Sequence, residues 1–392
     1  MSSGLKLASS SWDEEEIKAM QEVIKSGDFS MGKKVLEFEK EFASYVKSKY
    51  SIMVNSGSSA NLLMIAALFF KKDNPLKPGD EVIVPAVSWS TTYYPLSQYG
   101  LKLKFVDIDK ETLNYDLKKL SEAISENTRL LMIVNILGNP NNFSIINEIL
   151  KGKKIIIVED NCESLGAKFK DKFTGTFGIM GSYSSFFSHH ISTMEGGLIT
   201  TDDIELYHIL LSIRSHGWTR NLPKENKISS LKSDNEFEES FKFILPGYNL
   251  RPLEISAAVG LKQLIKLPNL IIERRKNSEF MKEIISSSKV FSMQKEIGES
   301  SWFGFAIVIK DSIDISREKV FEFLDLLNIE YRPVVTGNFL NQPVCKFIDI
   351  IDNGTMVNAN YIDKNAFYIG NHHYDISTEL KHLKFIEKEI LE

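Results

Sequence analysis

Apolar residues recur every three or four positions through EEEIKAMQEVIKS and again through KKVLEFEKEFASYVKSKY, the mark of two amphipathic helices. Ser11, with Glu14 three residues later, reads as a capping box opening the first helix, and Gly27 as its stop. Further along, the pattern changes. NSGSSANLLMIAALFF is a turn leading into a helix, and the short apolar runs EVIVP, LKFVDID, RLLMIVNI and KIIIVED then alternate with the helical segments STTYYPLSQYG and IINEILKG. Such alternation predicts an α/β fold: a mostly parallel mixed sheet covered by helices. SYSSFF and GGLITTD follow as two strands flanking a loop with adjacent histidines, and IELYHILLSIRSHG as a helix.

The polar stretch PKENKISSLKSDNEFEES has no periodicity and predicts an exposed excursion, a kind of loop that often covers a site. A helix entered near Pro252 and a second, long helix over NLIIERRKNSEFMKEIISS lead to a tail of different pattern, with strands WFGFAIVI and EYRPVV around helix SREKVFEFLDLLNI. The chain therefore divides into an N-terminal helix and arm (1–30), a large domain (31–266) and a smaller C-terminal α+β domain (267–392).

Composition narrows the function classes. With 43% hydrophobic and 25% charged residues in 392, this is an ordinary globular chain. A net charge of −5 with dispersed Lys and Arg gives no footprint for nucleic acid or an anionic membrane. The N-terminus has no apolar leader and the apolar runs are short of a bilayer span, so the expected location is the cytoplasm. Two cysteines, Cys162 and Cys345, are too few for a four-thiolate metal site or an iron–sulfur cluster.

Several stretches carry side chains suited to chemistry. The small-residue turn Asn55–Ala60 offers backbone N–H groups at a helix start, which suit a phosphate and equally describe a simple N-cap. VEDNCE places Glu159, Asp160 and Glu163 at the C-terminal end of a buried strand, where open α/β sheets bind ligands. An acid there can hold a protonated ring nitrogen or cap the next helix. Trp89, just past the strand EVIVP, can stack on a flat ring or pack in the core. Of the paired histidines, His190 reads as a packing residue, because neighbours in an extended loop point different ways. His216 and Arg220 in RSHGWTR fit an active-site rim or a solvated helix end, while Arg251 and Arg332 fit a carboxylate or diphosphate, or surface ion pairs. His372 and His373 receive no role.

Taken together, NSGSSAN, VPAVSWSTT, VEDNCESLGA, SYSSFFSHHISTMEGG and PGYNLRP, in this order, resemble the DegT/DnrJ/EryC1/StrS family of nucleotide-sugar aminotransferases, pyridoxal-phosphate enzymes of fold type I. The resemblance runs from about residue 10 to the C-terminus. It implies that Gly57 and Ser58 bind the cofactor phosphate, Trp89 stacks on the ring, Asp160 pairs with the pyridine nitrogen, Glu163 sits near the ring hydroxyl edge, and Ser184 adds a phosphate contact. Asn249 would reach the cofactor phosphate of a neighbouring subunit, so a homodimer is implied as well.

One departure changes the expected chemistry. Six residues before Glu195, where the family's aminotransferases carry the lysine that holds the cofactor covalently, stands His189. Imidazole cannot take that role, so the cofactor is expected to be noncovalent pyridoxamine 5′-phosphate or pyridoxal 5′-phosphate. The nearest lysines, Lys168, Lys170 and Lys172, do not match the motif. The substitution resembles the branch of the family that dehydrates sugars at C3, with His189 as base and L-glutamate as amino donor. The implied substrate is a nucleotide-linked 4-keto-6-deoxyhexose, a GDP-mannose derivative first. A sister branch uses an iron–sulfur cluster, which two cysteines disfavour. The rival readings are an aminotransferase using another lysine, a dehydratase of a different nucleotide sugar, and a non-catalytic binder. Met194 also departs from the family's usual glycine.

Overall fold

The computed structural model describes residues 4–392. Its centre is an eight-stranded mixed sheet in the order Tyr50–Val54, Gly197–Thr201, Met180–Ser184, Ile156–Asp160, Thr128–Val134, Glu81–Pro85, Lys102–Val106, Ile350–Ile351. Every neighbouring pair from Met180–Ser184 to Ile350–Ile351 is parallel, and Gly197–Thr201 pairs antiparallel on both sides. The strands of the parallel part are almost wholly buried because helices cover both faces. Helix Gly57–Phe69, with nine buried residues, lies in the largest core cluster with Val82, Val84, Leu130 and Val158.

A second, four-stranded antiparallel sheet combines Phe291–Met293, Gly304–Ile309, Ala366–Gly370 and Tyr331–Arg332. It has its own core around Phe291, Phe305, Phe367 and Ile369, and Leu5 of the N-terminal arm packs into that core.

Three local expectations change. The capping box lies two residues later: Asp13 accepts from Glu15 N–H and Glu16 from Asp13 N–H, both at 2.8 Å, while Ser11 donates to Gln263 at 2.6 Å. The second helix stops at Val46, where Lys47 turns left-handed at φ 60°, and Tyr50–Val54 forms a strand, of which only Tyr50 lay within the expected helix. The two helices expected around Pro268 are one, Glu254–Ser286, and the division at 266/267 falls inside it. This helix is long and apolar enough to cross a membrane by length and composition alone, yet 56% of its apolar window is buried within the protein. Its Leu264 and Leu267 pack with Phe38 and Phe42, its Met281 and Ile284 with the small sheet.

Candidate active site

The parallel strands Glu81–Pro85, Thr128–Val134 and Ile156–Asp160, with Met180–Ser184 beside them, end at one edge of the large sheet, where a doubly covered α/β fold leaves a crevice. A cavity of ≈ 370 Å³ opens there, lined by Gly57, Ser58, Trp89, Asp160, Glu163, Ser184, His189 and Arg332. Residues separated by up to 275 positions in sequence thus meet in one place. Asn61, Thr91, Asn135, Phe186, Ser188 and Phe303 line it too, and the sequence reading had named none of them.

The helix start resolves its two readings by dividing them. Ser56 is the N-cap and accepts from Ser59 N–H at 3.1 Å, while the next two residues face the cavity. At Gly57 a Cβ would lie 2.8 Å from Ser184 Cβ and 3.0 Å from Cys162 Sγ, so only glycine lets this end close on Ser184. Ser58 Oγ meets Thr91 Oγ1 at 2.9 Å. First-turn amides and hydroxyls beside the positive end of a helix form an anion cradle.

Asp160 is 6% exposed and held on three sides. Its Oδ2 accepts from Asn61 Nδ2 and Thr92 Oγ1, both at 2.7 Å, and its Oδ1 from Cys162 N–H at 3.1 Å. An ionised carboxylate has about four acceptor sites, so one remains for a donor in the cavity. Glu159 points the other way, as strand alternation requires, and accepts from the N–H groups of Gly175, Phe177 and Gly178. It anchors a loop. Glu163 accepts from Leu137 N–H at 3.1 Å; burial raises its carboxyl above the usual range, and Arg332 opposes that shift.

His189 is half-buried and lines the cavity. Burial lowers its imidazole to about 3, with Arg332 and Arg274 adding repulsion, so the ring is neutral at physiological pH. Nδ1 is buried and has no protein hydrogen-bond partner among the described residues. His190 packs instead: it is 2% exposed and its Nε2 lies 3.0 Å from Ser301 O. No lysine lines the cavity among the described residues. Lys168, Lys170 and Lys172 lie over the rings of Phe173, Phe169 and Phe177. Met194 has φ 68°, the left-handed conformation that glycine adopts most easily, which accounts for the glycine expected there.

Asn249, His216, Arg220 and Arg251 do not line this cavity. They gather around Trp218, with His216 edge-on at 5.3 Å and the guanidinium carbons of Arg220 and Arg251 at 4.4 and 5.6 Å from its ring. Arg251 Nε donates to Asn249 Oδ1 at 2.9 Å. The expected excursion forms a short hairpin and helix Glu236–Ser240 beside this cluster, with Phe237 and Phe241 exposed.

The residues present fit a flat, phosphorylated heterocycle: an anion cradle that a Cβ would fill, an acid with one free acceptor site, and an indole, 55% exposed, at the cavity wall. Fold and site together define a fold type I pyridoxal-phosphate enzyme in which imidazole occupies the expected lysine position. The chain belongs to the DegT/DnrJ/EryC1/StrS aminotransferase family, whose sequence profile matches residues 10–379. It is 59% identical to a GDP-4-keto-6-deoxy-D-mannose 3-dehydratase of Yersinia pseudotuberculosis over 98% of both chains. A crystal structure of GDP-4-keto-6-deoxymannose-3-dehydratase with a trapped PLP-glutamate geminal diamine superposes with a TM-score of 0.97 at 56% identity, covering 98% of this chain and 100% of the other. A histidine-to-asparagine mutant of such an enzyme, with bound GDP-perosamine, gives 0.96 at the same identity and coverage.

Proposed function

We propose that this protein is a 3-dehydratase that converts GDP-4-keto-6-deoxy-D-mannose to GDP-4-keto-3,6-dideoxy-D-mannose, using noncovalent pyridoxamine phosphate regenerated from L-glutamate. The observation that carries the reading is a cofactor cradle with a neutral imidazole, and no lysine, among its lining residues. Gly57, Ser58 and Ser184 would hold the cofactor phosphate, Trp89 would lie against the ring, Asp160 would keep the ring nitrogen protonated, and Glu163 would face the hydroxyl edge. Bound there, the cofactor would supply an amine for the sugar's C4 ketone and an electron sink.

His189 does the proton work. Being neutral, its imidazole can take a proton on a ring nitrogen and then return it to the C3 hydroxyl, which leaves as water when the C3–O bond breaks. A lysine could hand the proton back and complete an amino transfer; a histidine leaves elimination favoured. In sum, the sugar and glutamate give a 3-deoxy sugar, 2-oxoglutarate and ammonia. Arg332, inside the cavity, holds an anionic group of sugar or donor.

The working unit is a homodimer in which Asn249, His216, Arg220 and Arg251 of one subunit complete the site of the other. Each subunit divides into an arm (1–30), a cofactor-binding domain (31–266) and a small domain (267–392). The enzyme works in the cytoplasm, without an iron–sulfur cluster, in deoxysugar biosynthesis for lipopolysaccharide O-antigen, colitose being the expected end product. Incubation with pyridoxal phosphate, glutamate and the GDP sugar, followed by mass spectrometry, tests the reading. A sugar lighter by one oxygen, with ammonia released, supports it; an amino sugar or unchanged substrate sinks it.

A further inference from the structure

Catalytic histidines are commonly aligned by a carboxylate or carbonyl on the second ring nitrogen. His189 has no such partner at Nδ1 among the described residues. What fixes its ring is aromatic: Phe303 at 5.0 Å between centroids and Phe186 at 6.0 Å. Phe186 is 39% exposed, whereas Phe303 is 3% exposed and forms part of the cavity wall.

Phe303 comes from the chain segment entering the small sheet, and its backbone is tied on every side. Its N–H donates to Leu137 O at 3.1 Å. Its carbonyl accepts from Arg274 Nη1 at 3.0 Å and from the Tyr368 hydroxyl at 3.2 Å. Ser301 N–H donates to Gly138 O at 3.0 Å, and a Cβ at Gly138 would lie 2.6 Å from Trp302 N, so this close approach requires glycine. Trp302 itself sits at φ 47°, a strained conformation for a bulky residue. Strain held by surrounding contacts gathers at functional sites. Arg274 is buried without an ion-pair partner among the described residues, and its other strong contact is Asn371 O at 2.7 Å. Burying a guanidinium is costly, and here it is used to lock the Phe303 carbonyl.

We infer that Phe303 is the positioning residue of His189: its ring, locked through Arg274 and Tyr368, supplies the alignment that a hydrogen-bonded carboxylate gives other catalytic histidines. The inference rests on His189 being the base. The adjacent His190 lies 5.7 Å from the same ring, tilted by 47°, but its Nε2 is engaged by Ser301 O at 3.0 Å.

The test uses Phe303→Leu, which keeps apolar bulk without a flat face, and Phe303→Tyr, which keeps the face. Diethyl pyrocarbonate acylates neutral, accessible imidazole, so peptide mass spectrometry after timed exposure reports each histidine separately and requires no substrate. Phe303→Leu should speed acylation of His189 several-fold and leave His190 protected; Phe303→Tyr should behave as wild type. In turnover, Phe303→Leu should lower kcat by about 10²-fold, the usual cost of misplacing a reacting group by about 1 Å, with KM little changed. Unchanged acylation of His189 in Phe303→Leu would falsify the inference. So would equal acceleration at His189 and His190, which would mean general loosening. If wild type fails to turn over the GDP sugar while acylation follows the expected pattern, the assigned reaction is wrong and the positioning role stands.

Discussion

The cavity at the sheet edge and the cluster around Trp218 both contain residues expected to bind ligand, yet they are built differently. In the cavity, Asp160 meets Asn61 and Thr92 through bonds no longer than 2.7 Å, and Gly57 closes on Ser184 within one chain. Around Trp218, two guanidinium groups stack on one indole, and neither forms a salt bridge among the described residues. Arg220 Nη2 also donates to Ser240 O at 3.0 Å and Arg251 Nε to Asn249 Oδ1 at 2.9 Å, so each guanidinium is partly engaged and keeps further N–H donors. The first region is held together by contacts within one chain. The second gathers two cations on one indole with no salt-bridge partner among the described residues.

The sharpest way to break this comparison is within the cavity. His189→Asn should lower kcat by about 10²–10⁴-fold, the usual range for removing a general acid–base, while cofactor affinity followed by absorbance stays near wild type. Retained turnover would remove His189 from the mechanism. Next comes Arg251→Ala, which should raise KM for the GDP sugar by about 10-fold or more, as expected for loss of a charge-assisted hydrogen bond. At substrate well below the mutant's KM, mixing Arg251→Ala with His189→Asn subunits should restore activity above either parent, because some mixed dimers then hold one intact site. Absence of restoration would place both regions in one subunit's service.

A smaller effect should appear with pH. His189 titrates at about 3 in the fold and His190 well below 6.5, in each case chiefly because burial disfavours the charged ring. The unfolded chain takes up these protons near pH 6.5, so stability falls as pH drops below 6.5 and continues to fall toward the folded values. The urea midpoint should be lower at pH 5 than at pH 7, with hydrogen exchange across residues 185–193 accelerating first; a flat midpoint would contradict the burial. The smallest effect is at Met194, where Met194→Gly relieves a left-handed conformation worth up to about 1 kcal/mol and should raise Tm slightly.

Much of the cavity was legible along the chain because short motifs end on strands: IIIVED delivers Asp160, and NSGSSAN opens a helix. The support was not legible. Asn61 and Thr92 reach Asp160 across 99 and 68 residues, and nothing local distinguishes them from other polar residues on helices. Phe303 lay inside an apolar run that reads as an ordinary strand, so its turn toward His189 depends on Trp302 adopting a conformation no propensity favours. Capping at Asp13 rather than Ser11 was a choice between two equivalent local patterns, decided when Gln263 claimed Ser11. The large helix was split in reading because proline usually ends helices, whereas here Pro268 lies within one.

The strand Ile350–Ile351 belongs by sequence to the tail, yet it completes the edge of the large sheet beside Lys102–Val106. During synthesis that edge is made early and its partner arrives roughly 240 residues later, a delay of about 10–50 s at ordinary translation rates. For that interval the nascent chain presents an unpaired parallel edge of the kind that templates aggregation. Lys102 is the exposed charge on the waiting strand, whereas Lys104 pairs with Glu81 at 3.6 Å, so exchanging Lys102 for an apolar residue should lower soluble yield in the cell while leaving the finished enzyme's turnover intact.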